Sequence, residues 1–171
     1  MKVFAHSDRC FHIYSMGGVS DSTFHVSNDT GHFSGTVKVV PFLGKPGFAI
    51  ARTKGSKPIP DISFAKGMQI VCKSHGTDGW SDNRGFQLQI RTRGGRSGAE
   101  QGTYTADFNA PASALAATDV IEWSAFNLTW RGRPIQGPKL VDQLDQITNI
   151  GIGAAGKAGE FDFDIRSIQV V

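Results

Sequence analysis

The stretch Phe86-Gln87-Leu88-Gln89-Ile90-Arg91 decides the fold class, because apolar and polar side chains alternate in it without interruption. Successive side chains of a β-strand point to opposite faces, so the pattern places the apolar residues on a buried face and the polar ones on a solvent face. A helix would need apolar residues three and four positions apart. The stretch therefore predicts a half-buried strand.

The same period of two recurs on both sides of this stretch. The further apolar positions are, in chain order, Phe33, Gly35, Val37 and Val39; Met68, Ile70 and Cys72; Tyr104, Ala106 and Phe108; Ile121, Trp123 and Ala125; and Phe161, Phe163 and Ile165. After Ile165 the apolar positions change parity to Ile168 and Val170, which requires one extra residue. We therefore predict a β-bulge near Arg166–Ser167.

Glycine and proline clusters separate these runs, at 17–18, 44–47, 57–61, 94–95 and 132–134. Helical spacing is confined to two short segments, Leu140–Ile147 and Ala110–Ala117. Many half-buried strands with few helices indicate an antiparallel sandwich or barrel. No repeat, low-complexity tract or linker divides the 171 residues, so we predict a single domain over 1–171.

Composition excludes several classes of protein. Hydrophobic residues make up 39% and charged residues 19%, a mixture too apolar for a disordered chain. The formal net charge of +3 is too small for a nucleic-acid footprint. No segment approaches the ~20 apolar residues of a membrane span, and the N-terminus lacks a secretory signal. Cys10 and Cys72 are too few for a disulfide framework, so we expect free thiols in a reducing compartment.

One segment, Gly151-Ile152-Gly153-Ala154-Ala155-Gly156, matches the letters of the dinucleotide-binding fingerprint. That fingerprint binds a pyrophosphate because a helix begins there. Here Gly159–Phe163 reads as a turn and a strand, and only 15 residues follow Gly156. We interpret the segment as a glycine-rich strand end and hairpin turn, and we predict no cofactor.

Candidate catalytic and metal-binding residues do not form a recognisable set. His6, Cys10 and His12 are close in sequence, and His25 and His32 lie downstream. They lack the paired ligand doublets of a zinc site, so we predict no metal site and surface imidazoles. Glu160, Asp162 and Asp164 alternate with phenylalanines, which predicts a solvent-exposed row. There is no Gly-x-Ser-x-Gly turn for a nucleophile. These observations argue against an enzyme.

Two exposed segments remain as candidate binding elements. The basic run Arg91–Arg96 follows a strand without interleaved aromatic residues, which favours a solvated hairpin end over a nucleic-acid site. Trp80 lies in the polar loop Asp78–Asp82, where its ring could stack on a sugar or a partner protein, or could close one end of the core.

Several segments, taken in order, resemble the complex I intermediate-associated protein family, the thirty-kilodalton assembly factor of respiratory NADH:ubiquinone oxidoreductase. Short motifs from about Phe11 to Ile168 carry the resemblance: Met16–Ser20, Phe33–Gly35, Gly47–Ala49 with Arg52, Asp61–Ser63 with Gly67, Tyr104–Phe108, Phe126 with Arg131–Arg133, Ile147–Gly151 and Gly159–Ile168. Two positions depart from it: His12–Ser15 stands where the family has an Asn-Asp pair, and Phe11 stands near the usual opening Trp.

The resemblance implies a galactose-binding-like jelly-roll β-sandwich and a non-enzymatic assembly or chaperone role exerted through protein contacts. The implied partners are protein subunits of a membrane electron-transfer complex. The implied location is the matrix side of the mitochondrial inner membrane in a eukaryote, with a plastid or the bacterial cytoplasm as alternatives. A carbohydrate-binding module and a permanent accessory subunit are the alternative functions.

Loops at the ends of such a scaffold carry its binding function. We therefore predict a protein- or glycan-binding surface built from Met16, Gly17, Gly18, Ser20, Trp80, Trp130, Arg131 and Arg133. A structural alternative for Arg131 and Arg133 is that each guanidinium ties loops together through carbonyl or carboxylate oxygens.

Overall fold

The computed structural model describes residues 2–4, 11–15, 19–53, 59–75, 86–93 and 102–171, with the backbone alone for the first two segments. Strands predominate in these residues. They are β1 (Lys2–Phe4), β2 (Phe11–Ser15), β3 (Asp21–Ser27), β4 (Thr30–Val37), β5 (Val39–Val40), β6 (Lys45–Pro46), β7 (Phe48–Thr53), β8 (Gly67–Ser74), β9 (Phe86–Thr92), β10 (Thr103–Asp107), β11 (Ala116–Ala117), β12 (Ile121–Glu122), β13 (Asn127–Trp130), β14 (Arg133–Pro134), β15 (Ile147–Ala155) and β16 (Gly159–Val170). Two 3-10 helices span Trp123–Ala125 and Leu140–Gln146.

The described strands form two large sheets and a small one. Sheet A has the order β11-β8-β16-β4-β3. In addition, β1 pairs with β16, and β12 pairs with β8. Sheet B has the order β14-β13-β10-β9-β15-β7-β2, and β5 pairs with β6 alone. All of these pairings are antiparallel. The predicted jelly-roll β-sandwich is confirmed.

The two sheets bury their apolar rows against each other. Phe86, Leu88 and Ile90 of β9 are fully buried, as the alternation predicted. The ring of Phe86 stacks on Phe163 of the opposite sheet, with centroids 4.5 Å apart. Phe108 packs beside both rings. Aromatic contacts between the sheets therefore fill the middle of the core.

The predicted bulge in the last strand is confirmed. The register between β16 and β8 shifts between Ile165 and Ser167, and the strand then continues to Val170. Ile165, Ile168 and Val170 all remain buried. The extra residue lets one long strand keep its apolar side chains on the core face despite the change of parity.

Some predicted elements are wrong in their bounds or type. Strand β4 ends at Val37, and Val39 is exposed in the separate hairpin β5–β6. Ala110–Ala117 forms no helix and ends in strand β11. The predicted strand at Ile121–Ala125 stops at Glu122, because Trp123 enters a 3-10 turn and donates its indole N–H to the Ala65 carbonyl, 2.7 Å away. The helical spacing of Leu140–Ile147 is confirmed as a 3-10 helix, with Ile147 opening β15.

The glycine-rich segment forms a strand and a turn, as predicted. Gly151 and Gly153 lie within β15, and the chain turns at Gly156 with a positive φ of 80°. The prediction of a hairpin is wrong, because β15 belongs to sheet B and β16 to sheet A. The turn carries the chain from one layer of the sandwich to the other.

Several predicted features lie outside the described residues. These are the Gly17-Gly18 and Gly94-Gly95 turns, the start of the 57–61 turn, Cys10, and the histidine and cysteine side chains before residue 19. In the described part of the chain, no helix has the length and hydropathy to cross a membrane.

The close approach of β3 to β4 gives a first prediction. A Cβ atom on Gly35 would overlap the carbonyl oxygen of Asp21 and lie 2.6 Å from the Ser22 Cα. We expect Gly35→Ala to lower the free energy of unfolding by about 1–3 kcal/mol, because the β3 backbone has to move away. Ser34→Ala on the same strand is the control, with an expected loss of less than about 1 kcal/mol. Equal urea midpoints for the two variants would contradict this explanation.

The buried Cys72 gives a second prediction. Its thiol is fully buried, and burial raises its pKa to about 12. At pH 8 only about one thiol in ten thousand would be ionised, and the thiolate is the reactive form. In a Cys10→Ser variant, we expect no iodoacetamide labelling of native protein at pH 8 and complete labelling in urea. Rapid labelling without denaturant would show that β8 is open to solvent.

Candidate functional site

The predicted binding residues do not form one site among the described residues. Met16, Gly17, Gly18 and Trp80 lie outside the described residues. Ser20 lies near the start of β7, since Gly47 approaches its hydroxyl. Trp130–Arg133 lies beyond the start of β10, where Thr103 pairs with Thr129. Along β9 these positions correspond to the Phe86 end and the Thr92 end, so Ser20 and Trp130 are at opposite ends of the sandwich.

Ser20 supports the backbone and is not exposed for binding. It is buried, and its hydroxyl oxygen accepts a hydrogen bond from the Lys38 backbone N–H at 3.3 Å. A Cβ atom on Gly47 would lie 3.0 Å from that oxygen. Two motifs far apart in sequence, around Ser20 and Gly47, therefore meet at the base of the β5–β6 hairpin.

The segment Trp130–Arg133 forms a tight hairpin with an aromatic and basic tip. Trp130 pairs with Arg133, and the two residues between them, Arg131 and Gly132, have φ values of 50° and 75°. Two successive positive φ values are the signature of a type I′ turn. The guanidinium carbon of Arg131 lies 5.4 Å from the centre of the Trp130 ring, a cation–π contact. Among the described residues, Arg131 thus contacts an aromatic face and not the oxygen atoms of another loop.

Further arginines lie at the same end of sheet B. Arg91 donates to the Thr103 hydroxyl at 3.3 Å, and the Arg93 backbone N–H donates to the Gln146 carbonyl at 2.9 Å. Arg91 and Arg131, about forty positions apart in sequence, therefore lie at the same end of sheet B. This end combines the half-buried Trp130 with exposed guanidinium groups. Aromatic and arginine side chains of this kind dominate the energetics of protein interfaces.

A polar pair on the outer face of sheet B was not predicted. Arg52 donates to the Gln89 side-chain oxygen at 2.9 Å, and each side chain is only 7% exposed. Gly151 lies between them in register, and Gly151 and Gly153 leave the middle of the outer face of β15 without side chains. The letters Gly-x-Gly, which resemble a nucleotide motif, therefore provide room for a buried guanidinium–amide pair.

A second unpredicted cluster lies on the outer face of sheet A. Asp164 binds two imidazoles, with His32 Nδ1 2.6 Å from one carboxylate oxygen and His75 Nε2 2.7 Å from the other. The ring of His25 stacks on His32 with centroids 4.8 Å apart. Asp164 lies on the outer face of β16 with Glu160 and Asp162, as the alternation predicts, and beside the two imidazoles its side chain is 19% exposed. His25 lies in β3, His32 lies in β4, and His75 directly follows β8. Local sequence spacing therefore does not reveal this cluster.

This histidine cluster has the features of a hydrogen-bonded network. In the described part of the chain, no serine or cysteine is bonded to either imidazole as a nucleophile would be. No group of three His, Cys, Asp or Glu side chains among the described residues has a geometry that would hold a metal ion. The nitrogen atoms that face Asp164 are occupied by hydrogen bonds to its carboxylate.

Residues of two other resemblance motifs build the scaffold. Asp61 accepts a hydrogen bond from the Ser63 backbone N–H at 2.8 Å, which forms a turn and lowers the pKa of the carboxyl group. The Tyr104 hydroxyl donates to the Pro138 carbonyl at 2.9 Å. Burial, with a smaller contribution from Asp142, raises the pKa of this phenol, so it stays protonated as a donor. These motifs therefore determine the frame of the sandwich.

The chain matches a known protein family over most of its length. Residues 12–165 match the family described as complex I intermediate-associated protein 30 (CIA30). No curated protein resembles the chain closely enough in sequence to count as a relative.

Solved structures with a similar fold include two carbohydrate-binding modules and an agarase. A family 11 carbohydrate-binding module from Clostridium thermocellum, in complex with a β-1,3-1,4-mixed-linked tetrasaccharide, has a TM-score of 0.61 and 17% identity. The match covers 94% of this chain and 88% of the module. The family 11 module of the cellulosomal cellulase Lic26A-Cel5E of Clostridium thermocellum has a TM-score of 0.61 and 16% identity, covering 98% and 92%.

A third similar structure is the agarase AgWH50C, with a TM-score of 0.51 and 8% identity. The match covers 93% of this chain but 22% of the agarase. Identities this low establish a shared fold and leave the ligand undetermined.

Proposed function

The chain belongs to the complex I intermediate-associated protein 30 family, and from this premise we propose that it is a non-catalytic protein-binding module that assists assembly of a membrane electron-transfer complex related to respiratory complex I. The observation that carries the proposal is the family match over residues 12–165 of a 171-residue chain. The proposed partners are protein subunits of such a complex.

The hairpin Trp130–Arg133 is our proposed client contact. The cation–π contact between Arg131 and Trp130 restricts both side chains before binding, which reduces the entropy lost when a partner docks. Neighbouring Arg91 and Arg93 favour a partner surface that carries carboxylates.

The proposed mechanism is shielding by contact. An assembly intermediate exposes surface that is buried in the finished complex, and a complementary surface covers it until the next subunit arrives. Such a role needs shape, charge and reversibility, without covalent chemistry. Met16, Gly17, Gly18 and Trp80 remain predicted contributors to binding.

The proposed setting follows from the same family relationship. In a eukaryote it is the matrix side of the mitochondrial inner membrane, with a plastid or a bacterial cytoplasm as alternatives. A permanent accessory subunit of a respiratory or photosynthetic complex would use the same contacts. Only its persistence in the finished assembly would distinguish it from a transient factor.

A crosslinking pull-down from the native membrane fraction tests this function. We expect the wild-type chain to recover subunits of an incomplete electron-transfer complex, and the variant Trp130→Ser/Arg131→Asn/Arg133→Ser to lose most of them. Asn-Gly is the preferred type I′ pair, so this variant keeps the turn while removing the aromatic and cationic groups.

The β3–β4 hairpin supplies a matched control. Its turn residues Asn28 and Asp29 also have positive φ values, 47° and 62°, and Val26 beside the turn is exposed. Val26→Ser/Asn28→Gly should recover the same subunits as wild type. Recovery of no electron-transfer subunit by the wild-type chain would refute the assembly role, and recovery from the finished complex alone would favour a permanent subunit.

Carbohydrate binding is the second candidate. The observation in its favour is the Arg52–Gln89 pair above the glycines of β15, because a flat floor with polar groups suits a sugar ring. The low exposure of the pair argues against it, since a sugar would reach little of either side chain. Protein binding is therefore the preferred proposal.

A calorimetric titration with a mixed-linked β-glucan tetrasaccharide separates the two candidates. We expect no saturable heat up to a sugar concentration of about 1 mM, the weak end of ligand affinities. Saturable binding that Gln89→Ala abolishes, with unchanged thermal unfolding, would instead assign a glycan site to the outer face of sheet B.

A further inference from the structure

The β5–β6 hairpin projects apolar side chains into solvent. Among the described strands, Val39–Val40 and Lys45–Pro46 pair with each other and with neither large sheet. At the tip, Phe42 is 81% exposed and Leu43 is 49% exposed. Two large adjacent apolar side chains in such a position have no role in the core, and exposed apolar clusters of this kind commonly mark a binding surface.

The base of this hairpin is firmly held, so the tip has a fixed position. Val40 is fully buried, and the Gly47 backbone N–H donates to the Lys38 carbonyl at 2.9 Å. The Lys38 backbone N–H in turn donates to the Ser20 hydroxyl. The tip is therefore presented by a fastened base, which limits the entropy lost on binding.

The chemistry of the tip suits an apolar medium. The backbone N–H groups of Leu43 and Gly44 both donate to the Val40 carbonyl, at 3.0 and 2.9 Å, and Pro41 has no N–H. Residues 39–44 contain no polar side chain. Internal bonding of these two donors lowers the cost of bringing the tip into a lipid interface, whereas protein interfaces carry about one hydrogen bond per 100–200 Å².

Charge flanks the apolar tip on both sides. Lys38 and Lys45 are exposed at its two ends, and residues 38–47 contain no acidic residue. Asp21 and Glu160 pair with Thr36 at the foot of the hairpin, on sheet A. Apolar residues at the tip and lysines behind them match the order of hydrocarbon and phosphate at an anionic bilayer surface.

We propose that residues 38–47 form a membrane-contact finger that inserts Phe42 and Leu43 into the interfacial region of an anionic lipid bilayer. Lys38 and Lys45 then lie at the level of the lipid phosphates. The alternative is that the tip enters an apolar pocket on a partner protein. Such pockets fix the orientation of what they bind through a few polar groups, and the tip has no polar side chain to meet them. This inference goes beyond the proposed assembly function and is tested separately from it.

Vesicle co-sedimentation of the full chain tests the finger. The probes are phosphatidylcholine vesicles with and without about 30% phosphatidylglycerol, enough to give a negative surface potential. We expect wild-type protein to partition onto the anionic vesicles, and Phe42→Ser/Leu43→Ser to reduce the partition coefficient about tenfold or more. Lys38→Gln/Lys45→Gln should reduce partitioning onto anionic vesicles by about tenfold as well.

Phe64→Ser is the matched control, because Phe64 is 72% exposed in the segment that precedes β8, far from the finger in sequence. It should partition like wild type. Thermal unfolding of each variant checks that the fold is intact, and Leu43→Ser alone serves if the double variant unfolds.

Three results would overturn the proposal. The first is that Phe42→Ser/Leu43→Ser partitions onto anionic vesicles like wild type. The second is that Phe64→Ser lowers the partition coefficient as much as the finger variant does. The third is an absence of vesicle binding by wild type. If the finger variant also loses a crosslinked protein, the finger is assigned to a protein pocket. A failed pull-down of electron-transfer subunits would leave the vesicle result unchanged, so the two proposals fail independently.

Discussion

The stacking of Phe86 on Phe163 joins the two sheets, and the rest of the sandwich depends on it. These rings come from β9 and β16, which lie inside sheets B and A. For them to meet, each strand must keep every second side chain on the core face, and a one-residue slip would turn the row outward. The bulge at Ile165–Ser167 preserves this arrangement in β16 where the sequence changes parity. The outer faces are then free to carry polar groups.

Alternation predicts which face a residue takes when its strand stays in the sheet, and it fails where the chain leaves the sheet. The assignment of Phe86, Leu88 and Ile90 to the core was correct because β9 is central in sheet B. Val39 continues the same alternation, yet β4 ends at Val37 and Val39 is exposed. Directly after Val37, the Lys38 backbone N–H donates to the Ser20 hydroxyl, eighteen positions earlier in the sequence. No local pattern contains that information.

The same limit applies to the candidate sites. The resemblance motifs located the family, but Ser20, Gly35 and Tyr104 serve the frame, where they hold a hairpin base, let two strands approach and bind a loop carbonyl. The clusters that only the structure reveals, Arg52 with Gln89 and Asp164 with two histidines, join strands far apart in sequence. A sequence motif identifies a frame more readily than a surface, because frame residues recur in short local patterns whereas surface clusters depend on which strands become neighbours.

The two proposed contacts lie at opposite ends of sheet B, so the sandwich fixes the distance between them. The finger precedes β7, and the first residue of β7 lies level with the Phe86 end of β9, across the intervening strand β15. The Trp130 hairpin lies beyond the Thr92 end of β9. Five to six strand residues at about 3.3 Å each separate the ends by about 20 Å. Sheet strands resist compression, so a lipid surface at one end and a client at the other would be held at a fixed spacing. With both proposed contacts made, the length of the sandwich would set the height of the client above the bilayer.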